Sequence, residues 1–143
     1  MILVTGSTGL IGSEVVRLLS RAGVPARALV RDPSRGQKLP GISWVSGDLA
    51  RPETLPSVLG GCTKLFLLTG NGEDAAELQQ HAIAAGRQAG VTHVVKLSAF
   101  GASPRSNSMI GRIHYQIERE LQESWLPWTI GRASCRERVS ECV

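Results

Sequence analysis

Three glycines near the start of the chain have the spacing of a phosphate-binding turn. The segment Gly6-Ser-Thr-Gly9-Leu-Ile-Gly12 follows the apolar run Ile2–Thr5 and opens a helical pattern. In such a turn the first glycine permits a tight bend, the second lets a pyrophosphate approach the backbone, and the third lets the helix pack closely on the sheet. Free N–H groups at the helix N-terminus would then hold the phosphates. The spacing predicts a dinucleotide site, with a plain tight turn as the alternative.

The end of the second apolar run carries charges that could choose between NAD and NADP. Arg31 and Asp32 follow Ala28-Leu-Val, and Arg35 is close in sequence. An acidic residue at this point hydrogen-bonds the ribose 2′-OH of NAD, whereas an arginine accommodates the 2′-phosphate of NADP. Because Arg31 takes the first position, the sequence favours NADP(H) over NAD(H). The alternative is a solvated pair of surface charges.

Short apolar runs alternate with longer helical patterns, which is typical of βαβ units on a parallel sheet. The patterns predict strands at Ile2–Thr5, Ala26–Arg31, Ile42–Ser46, Lys64–Thr69, His93–Ser98 and Leu126–Ile130. They predict helices at Leu10–Ala22, Glu53–Leu59, Glu73–Gln88 and Met109–Ser124. We therefore expect an α/β fold, a Rossmann-like doubly wound parallel sheet of about five or six strands.

Length and composition exclude several other classes of protein. The chain has 143 residues, 42% of them hydrophobic, which is enough for one domain with a core but not for two. No apolar run approaches the length of a membrane span, and the net charge of +4 is scattered among few aromatic residues, so neither a membrane nor a nucleic acid is an expected partner. Cys62, Cys135 and Cys142 form no C-x-x-C pair, so we expect no disulfide framework, no metal site and a cytoplasmic location.

Taken together, the segments resemble the NmrA-like branch of the atypical short-chain dehydrogenases, which bind NAD(P) in a Rossmann domain. The resemblance runs from Met1 to about Thr129 and rests on Val4–Gly12, Leu29–Pro33, Gly47–Leu49, Val94–Gly101, His114–Ser124 and Leu126–Ile130. It implies that Thr8, Gly9, Leu10 and Ile11 contact the pyrophosphate, Arg31 the 2′-phosphate, Asp48 and Leu49 the adenine, and Thr69 and Ser98 the nicotinamide side. Family members include NADPH-dependent quinone and enone-type reductases, aromatic ether reductases and catalytically silent redox-sensing regulators.

Two neighbouring residues on the last predicted helix are candidates for catalysis. The short-chain dehydrogenases use a Tyr-x-x-x-Lys pair in which the lysine lowers the tyrosine pKa, but here Tyr115 is followed by Arg119, which cannot shuttle a proton. Glu118 and Arg119 are equally interpretable as solvated surface charges. His114 stands where the aromatic ether reductases have a catalytic lysine, and its imidazole could act as a general acid. An ordinary packing role for His114 is the alternative.

Three functions remain open at this point. The first is hydride transfer from NADPH to a quinone or conjugated carbonyl in the full-length parent protein. The second is a silent regulator that senses NAD(P) and docks on a protein partner, and the third is a nucleotide-sugar epimerase or dehydratase. The third is weakened because the Tyr-x-x-x-Lys pair is absent. The substrate and the oligomeric state are not predicted, since the parts of this family that contact substrate lie largely beyond Thr129.

The end of the chain departs from the family pattern. After Ile130 the family would continue Leu-Arg-Pro, whereas this chain reads Gly-Arg-Ala-Ser-Cys, and Ile130–Val139 resembles the translation of a sequencing-adapter oligonucleotide. We therefore expect residues 1–129 to be an incomplete NAD(P)-binding domain, without its substrate part, and residues 130–143 to be a non-native tail. Trp125 stands where the family usually has a helix-ending glycine. A divergent native C-terminus is the alternative.

Overall fold

Six short apolar segments form the strands of one sheet in the computed structural model, which describes residues 1–133. The strands are β1 (Ile2–Val4), β2 (Ala26–Val30), β3 (Ile42–Ser46), β4 (Lys64–Leu67), β5 (His93–Ala99) and β6 (Trp128–Ala133). Their order is β3-β2-β1-β4-β5-β6, and every neighbouring pair is parallel. This is the strand order of a doubly wound Rossmann fold, so the predicted fold class is confirmed.

Four helices connect these strands. They are α1 (Leu10–Arg21), α2 (Leu55–Leu59), α3 (Ala75–Gln88) and α4 (Met109–Glu123), with single 3₁₀ turns at Pro33–Arg35 and Pro52–Thr54. The predicted helix Glu53–Leu59 is divided, because Pro56 has no N–H to bond the carbonyl of Pro52 and its ring would clash there. Similarly, β6 begins only after Pro127, which cannot donate to the ladder. None of the helices within residues 1–133 has both the length and the apolar character needed to cross a membrane.

The core is larger on one face of the sheet than on the other. On one face, α2, α3 and α4 bury a cluster that includes Leu65, Leu67, Val94, Ile117 and Leu121. On the other face, Val16 of α1 packs on Val4 and Ala28 in a smaller cluster. Both clusters pack on the faces of the sheet. The loops at the carboxyl ends of the strands are therefore available to form a site.

The proposed non-native tail begins within β6. Residues 130–133 pair with β5, so that Ile130 lies opposite Lys96 and Ala133 opposite Ala99. Ladder hydrogen bonds use backbone groups that every residue except proline carries in full, so this pairing would form with a native or a foreign sequence. Residues 134–143, with Cys135 and Cys142, lie outside the described residues, and the foreign origin of the tail remains a proposal.

Candidate functional site

The glycine turn after β1 is closed to side chains at two of its three glycines. Gly6 has a φ of +61°, and a Cβ added there would lie 2.7 Å from the carbonyl oxygen of Leu68. A Cβ on Gly12 would lie 1.9 Å from the carbonyl oxygen of Gly6, because α1 packs directly on the turn. Gly9 is less crowded, with the same oxygen 3.3 Å from the added Cβ. The tight bend and the close helix packing predicted for Gly6 and Gly12 are therefore both present.

Two hydroxyl groups fix this turn to the neighbouring strands. The Thr5 hydroxyl donates to the carbonyl of Leu68 at 2.7 Å and accepts from the Leu68 N–H at 2.9 Å, which joins the ends of β1 and β4. The buried Ser7 hydroxyl donates to the carbonyl of Leu29 at 2.6 Å, which joins the turn to β2. Sequence reasoning did not identify these anchors. They hold the first amides of α1, which have no intrahelical partners, at the edge of the sheet.

A cleft of about 330 Å³ opens beside the glycine turn, at the carboxyl ends of β1 to β4. The strand order reverses between β1 and β4, which is where doubly wound sheets bind their ligands. Of the predicted cofactor residues, the cleft is lined by Gly6, Thr8, Arg31, Asp48, Leu49 and Thr69. Gly9, Leu10, Ile11 and Gly12 belong to the adjoining turn and first turn of α1, whereas Ser98 lies at the end of β5, outside the cleft lining.

The two charges after β2 have different surroundings. The Asp32 carboxylate accepts hydrogen bonds from the Ser34 N–H at 3.0 Å and the Ser34 hydroxyl at 2.7 Å, and these bonds lower the pKa of Asp32. It thereby caps the 3₁₀ turn Pro33–Arg35. Arg31 is exposed at the rim of the cleft, and within residues 1–133 its guanidinium has no ion-pair partner. A positive charge therefore faces the cleft while the neighbouring carboxylate is engaged elsewhere.

The turn after β3 also lines the cleft. The Asp48 carboxylate accepts from the N–H of Ala50 at 2.9 Å, and the Asp48 N–H donates to the hydroxyl of Thr54 at 3.0 Å. The carbonyl of Leu49 lies 2.7 Å from Nδ1 of His81 on α3. These bonds fix the turn whose residues Asp48 and Leu49 line the cleft.

A buried polar cluster lies at the carboxyl ends of β4 and β5. Lys96, in the middle of β5, is fully buried, and its ammonium group contacts Oε1 of Gln79 at 2.9 Å, the carbonyl of Leu97 at 3.1 Å and Nδ1 of His114 at 3.2 Å. Nε2 of His114 lies 3.2 Å from Oδ1 of Asn71, in the loop after β4. Sequence reasoning did not single out Lys96, Gln79 or Asn71. The one available signal was a lysine within the apolar run of β5.

Burial changes the ionisation of both basic groups in this cluster. Desolvation lowers the pKa of Lys96 to about 8, although the negative charge of Glu118 acts in the opposite direction. Desolvation, followed by the nearby charge of Lys96, lowers the pKa of His114 to about 4, again against the effect of Glu118. At neutral pH the imidazole is therefore uncharged and the lysine is mostly an ammonium ion.

Glu118 is not a surface charge, so that interpretation of the sequence is wrong for it. Its side chain is buried, because it lies one turn after His114 on the face of α4 that packs on the sheet. The Ser98 hydroxyl donates to Oε1 of Glu118 at 2.6 Å, and the Arg132 guanidinium donates to both carboxylate oxygens at 3.0 and 2.6 Å. Burial raises the pKa of Glu118, but the hydrogen bonds from Arg132 and Ser98 more than offset this, and the pKa lies below its usual value.

Tyr115 and Arg119 do not share a common environment. Arg119 is exposed and donates to the Glu123 carboxylate at 2.6 Å, one helical turn further on, as the surface-charge interpretation of Arg119 expects. Tyr115 is half-buried, and within residues 1–133 its hydroxyl makes no hydrogen bond. The catalytic roles suggested for His114 and Tyr115, and the nicotinamide contact suggested for Ser98, remain predictions.

Comparisons with known proteins agree with this geometry. A family model described as NAD(P)H-binding matches residues 6–134. The NAD(P)H azoreductase of Xenophilus azovorans is 44% identical over 131 residues, which cover 90% of this chain and 46% of the relative. The NADPH-dependent quinone oxidoreductase of Escherichia coli, solved with NADPH, superposes with a TM-score of 0.83 at 30% identity, covering 92% of this chain and 48% of that one.

A third reductase has a similar structure. The triphenylmethane reductase of a Citrobacter species, solved with NADP(H), superposes with a TM-score of 0.79 at 27% identity and covers 93% of this chain and 49% of that one. This chain thus spans about half the length of the relatives that it matches. The glycine turn, the cleft at the reversal of strand order and the family match over most of the chain together show that it belongs to the NAD(P)H-binding family, among the NmrA-like atypical short-chain dehydrogenases.

Proposed function

We propose that this chain carries the cofactor half of an NADPH-dependent oxidoreductase that reduces a quinone or a similar conjugated acceptor. The observation that carries the proposal is the glycine turn, closed to side chains at Gly6 and Gly12, at the head of a cleft whose rim carries Arg31, which has no ion-pair partner within residues 1–133. The similar proteins are an azoreductase, a quinone oxidoreductase and a triphenylmethane reductase. The substrates in those names are conjugated systems that can accept two electrons, and we propose the same class here.

The residues around the cleft fit a dinucleotide. The amides of Thr8, Leu10 and Ile11 would hold the pyrophosphate at the N-terminus of α1, beside Gly9, whose own N–H donates to the Gly6 carbonyl at 3.1 Å. Asp48 and Leu49 would lie against the adenine, and Thr69 and Ser98 would face the nicotinamide half, over β4 and β5. The bound cofactor would supply a hydride, while this chain would supply position and a hydrogen-bond donor.

Arg31 supports a preference for NADPH over NADH. Within residues 1–133 its guanidinium has no ion-pair partner and could meet a 2′-phosphate, while Oδ1 of Asp32 is used in capping Ser34. We expect Arg31→Asp to weaken NADPH binding about 10- to 100-fold, the range for one charge-assisted contact, and to leave NADH binding within a few-fold. Calorimetric titration of both nucleotides measures this.

Arg35 offers a matched control for that titration. It carries the same charge four residues further along, also exposed, but it does not line the cleft. Arg35→Asp should therefore change the affinity for NADPH only slightly. If both variants weaken NADPH and NADH equally, Arg31 has no specific role in recognising the 2′-phosphate.

His114 and Tyr115 are the proposed catalytic residues on α4. His114 is the better placed of the two, since its Nε2 points to Asn71 in the loop after β4, on the proposed nicotinamide side. The Tyr-x-x-x-Lys arrangement of an epimerase is not favoured, because Arg119 takes the lysine position and pairs with Glu123 instead. We place the reaction in the cytoplasm, as the cysteine usage suggests.

The activity test needs the longest natural protein that contains residues 1–129, because the chain spans about half of its relatives. We expect steady NADPH oxidation with a quinone or an azo dye, and much slower oxidation after His114→Ala. The assay follows NADPH absorbance over a panel of quinones, enones and dyes. Tight NADPH binding without turnover on the whole panel would contradict the proposal and favour a regulator that only senses the cofactor.

A further inference from the structure

The three hydrogen bonds of Lys96 determine where the proton of His114 lies. An ammonium group has three N–H donors and no acceptor. The three neighbours of Nζ are Oε1 of Gln79, the carbonyl of Leu97 and Nδ1 of His114, so each receives one donor. Nδ1 must then be unprotonated. In a neutral imidazole the single proton is left on Nε2, which faces Oδ1 of Asn71, an acceptor.

Gln79 fixes Lys96 in this arrangement. Its Oε1 accepts from Lys96 at 2.9 Å, while its Nε2 donates to the Thr69 hydroxyl at 2.8 Å, so its amide is satisfied in one orientation. Gln79 and Lys96 are both fully buried, one on α3 and the other on β5. The chain of bonds therefore runs from the end of β4, through α3 and β5, to the imidazole on α4.

We propose that Lys96 is a positioning residue that holds the proton of His114 on Nε2, so that the imidazole presents an N–H donor towards the loop after β4. The use of this donor in a reaction rests on the proposed function, because a reduced quinone oxygen or azo nitrogen must gain a proton. The tautomer itself does not depend on that function. Lys96 acts through His114 and has no direct contact with the cleft.

Loss of the Lys96 proton should reverse the tautomer. A neutral amine has a lone pair that needs a donor, and of its three partners the Leu97 carbonyl and the Gln79 oxygen have none to give. Nδ1 of His114 can gain a proton if Nε2 loses one. Within residues 1–133, the charged groups near this pair are Glu118 on α4 and Arg132 on β6, which are paired with each other. Above the Lys96 pKa of about 8, Nε2 should therefore become an acceptor.

Nitrogen NMR of the ¹⁵N-histidine-labelled chain tests this without cofactor or substrate. In the wild type at pH 7, Nε2 of His114 should show the shift of a protonated ring nitrogen and Nδ1 that of an unprotonated, hydrogen-bonded one. The two should exchange character as the pH passes about 8. His81 and His93, which contact Leu49 and Thr129 instead, serve as internal references.

The variant Lys96→Met tests whether the ammonium group sets the tautomer of His114, and Lys64→Met is its control. Methionine keeps an unbranched side chain but removes the ammonium group, so the exchange near pH 8 should disappear and the pKa of His114 should rise from about 4. Lys64 is an exposed lysine at the start of β4, and its replacement should leave both properties unchanged. In the longest natural protein, Lys96→Met should lower kcat more than it changes the KM for NADPH.

Each outcome decides the proposal. A wild-type His114 that is protonated on Nδ1 at pH 7, or a Lys96→Met variant with the wild-type titration, would overturn it. The wild-type spectrum decides the tautomer even if Lys96→Met fails to fold. Because NMR needs no turnover, an inactive protein with the expected tautomer would refute the proposed function and leave the positioning role of Lys96 intact.

Discussion

The two halves of the sheet, β1 to β3 and β4 to β6, carry different kinds of polar groups at their carboxyl ends. In the first half, the site is made chiefly of backbone, namely the glycine turn, the first amides of α1 and the turn at Asp48, with Arg31 as its charged side chain. In the second half the polar groups are buried side chains behind the cleft lining, chiefly Lys96, Gln79 and His114. The first half therefore depends on the absence of side chains at a few positions, and the second on charge and pH.

The second half is the more costly to build. Burying a charge costs several kcal/mol unless its hydrogen bonds are replaced. The cluster meets this requirement, since each of the three donors of Lys96 has an acceptor and Glu118 receives bonds from Ser98 and Arg132. In the part of the chain that the structure describes, every buried side-chain nitrogen and oxygen has a hydrogen-bond partner. Removing one member should therefore disturb the others.

The largest expected effect concerns the backbone half. In Gly12→Ala the new Cβ would lie 1.9 Å from the Gly6 carbonyl oxygen, so α1 must move away from the turn. We expect a loss of about 3 kcal/mol in the free energy of unfolding, the upper end for overpacking. NADPH affinity should fall by roughly 100-fold, because the amides of α1 move with the helix. Urea unfolding and calorimetric titration measure the two effects.

Gly9→Ala is the matched control for the glycine turn. The same oxygen would lie 3.3 Å from its Cβ, and Gly9 has a negative φ, so a small adjustment suffices. Its stability should fall by no more than about 1 kcal/mol. If Gly9→Ala and Gly12→Ala lose equal stability, the contact between α1 and Gly6 is not what closes the turn, and the backbone interpretation of this half fails.

The two halves also differ in how far the sequence predicts them. The glycine turn could be predicted because its parts are neighbours in sequence and each glycine has a steric reason. Arg31, Asp48 and Leu49 follow strands whose positions were predicted, and the structure lines one cleft with them. The cluster around Lys96 joins residues 17 and 18 positions apart, on elements whose relative rotation no local pattern specifies.

Glu118 shows why the second half was missed. Its helical position allows either a solvent-facing or a sheet-facing side chain, and charge favours the first. The structure places it inwards, where Ser98 and Arg132, 20 and 14 positions away in the sequence, donate hydrogen bonds to it. A charged side chain whose burial depends on partners distant in the sequence has the local pattern of a surface residue. The parallel sheet, in contrast, follows from apolar runs alone.

The next effect concerns acid stability in the side-chain half. The pKa of His114 is about 4 in the folded chain against an ordinary value of 6.5, so the unfolded chain binds this proton first as the pH falls. Stability is therefore fully present above pH 6.5 and is lost on the way down to pH 4, by on the order of 3 kcal/mol at most. In His114→Gln this part of the loss should disappear. Urea unfolding at several pH values between these limits measures the slope.

His93→Gln is the control for that slope. The His93 ring lies at the start of β5, half-buried, and contacts the Thr129 hydroxyl at the opposite end of the strand from His114. The His93→Gln variant should keep most of the wild-type pH dependence of the free energy of unfolding. If His114→Gln and the wild type lose stability in parallel, the cluster does not hold the imidazole neutral, and the contrast between a pH-sensitive half and a backbone half is lost.

The smallest expected effect concerns the residue that follows the end of α4. The question is whether a glycine is preferred there, as it is after α1. The residue after the C-cap of α1 is Gly23, with a φ of +67°, whereas the residue after the C-cap of α4 is Trp125, with a φ of +65°. A side chain in this left-handed conformation costs roughly 1–2 kcal/mol, which glycine avoids. Trp125 is 91% exposed, so its removal forfeits little packing.

Trp125→Gly should therefore stabilise the chain by about 1 kcal/mol, because the greater freedom of glycine in the unfolded chain offsets part of the gain. Urea unfolding at neutral pH measures the change, and Gly23→Ala, at the matching position of α1, should destabilise by a similar amount. A loss of stability in Trp125→Gly would mean that the indole makes contacts worth more than the strain. A gain would mean that α4 has the same backbone requirement as α1 and that tryptophan is poorly suited to this position, whatever its origin.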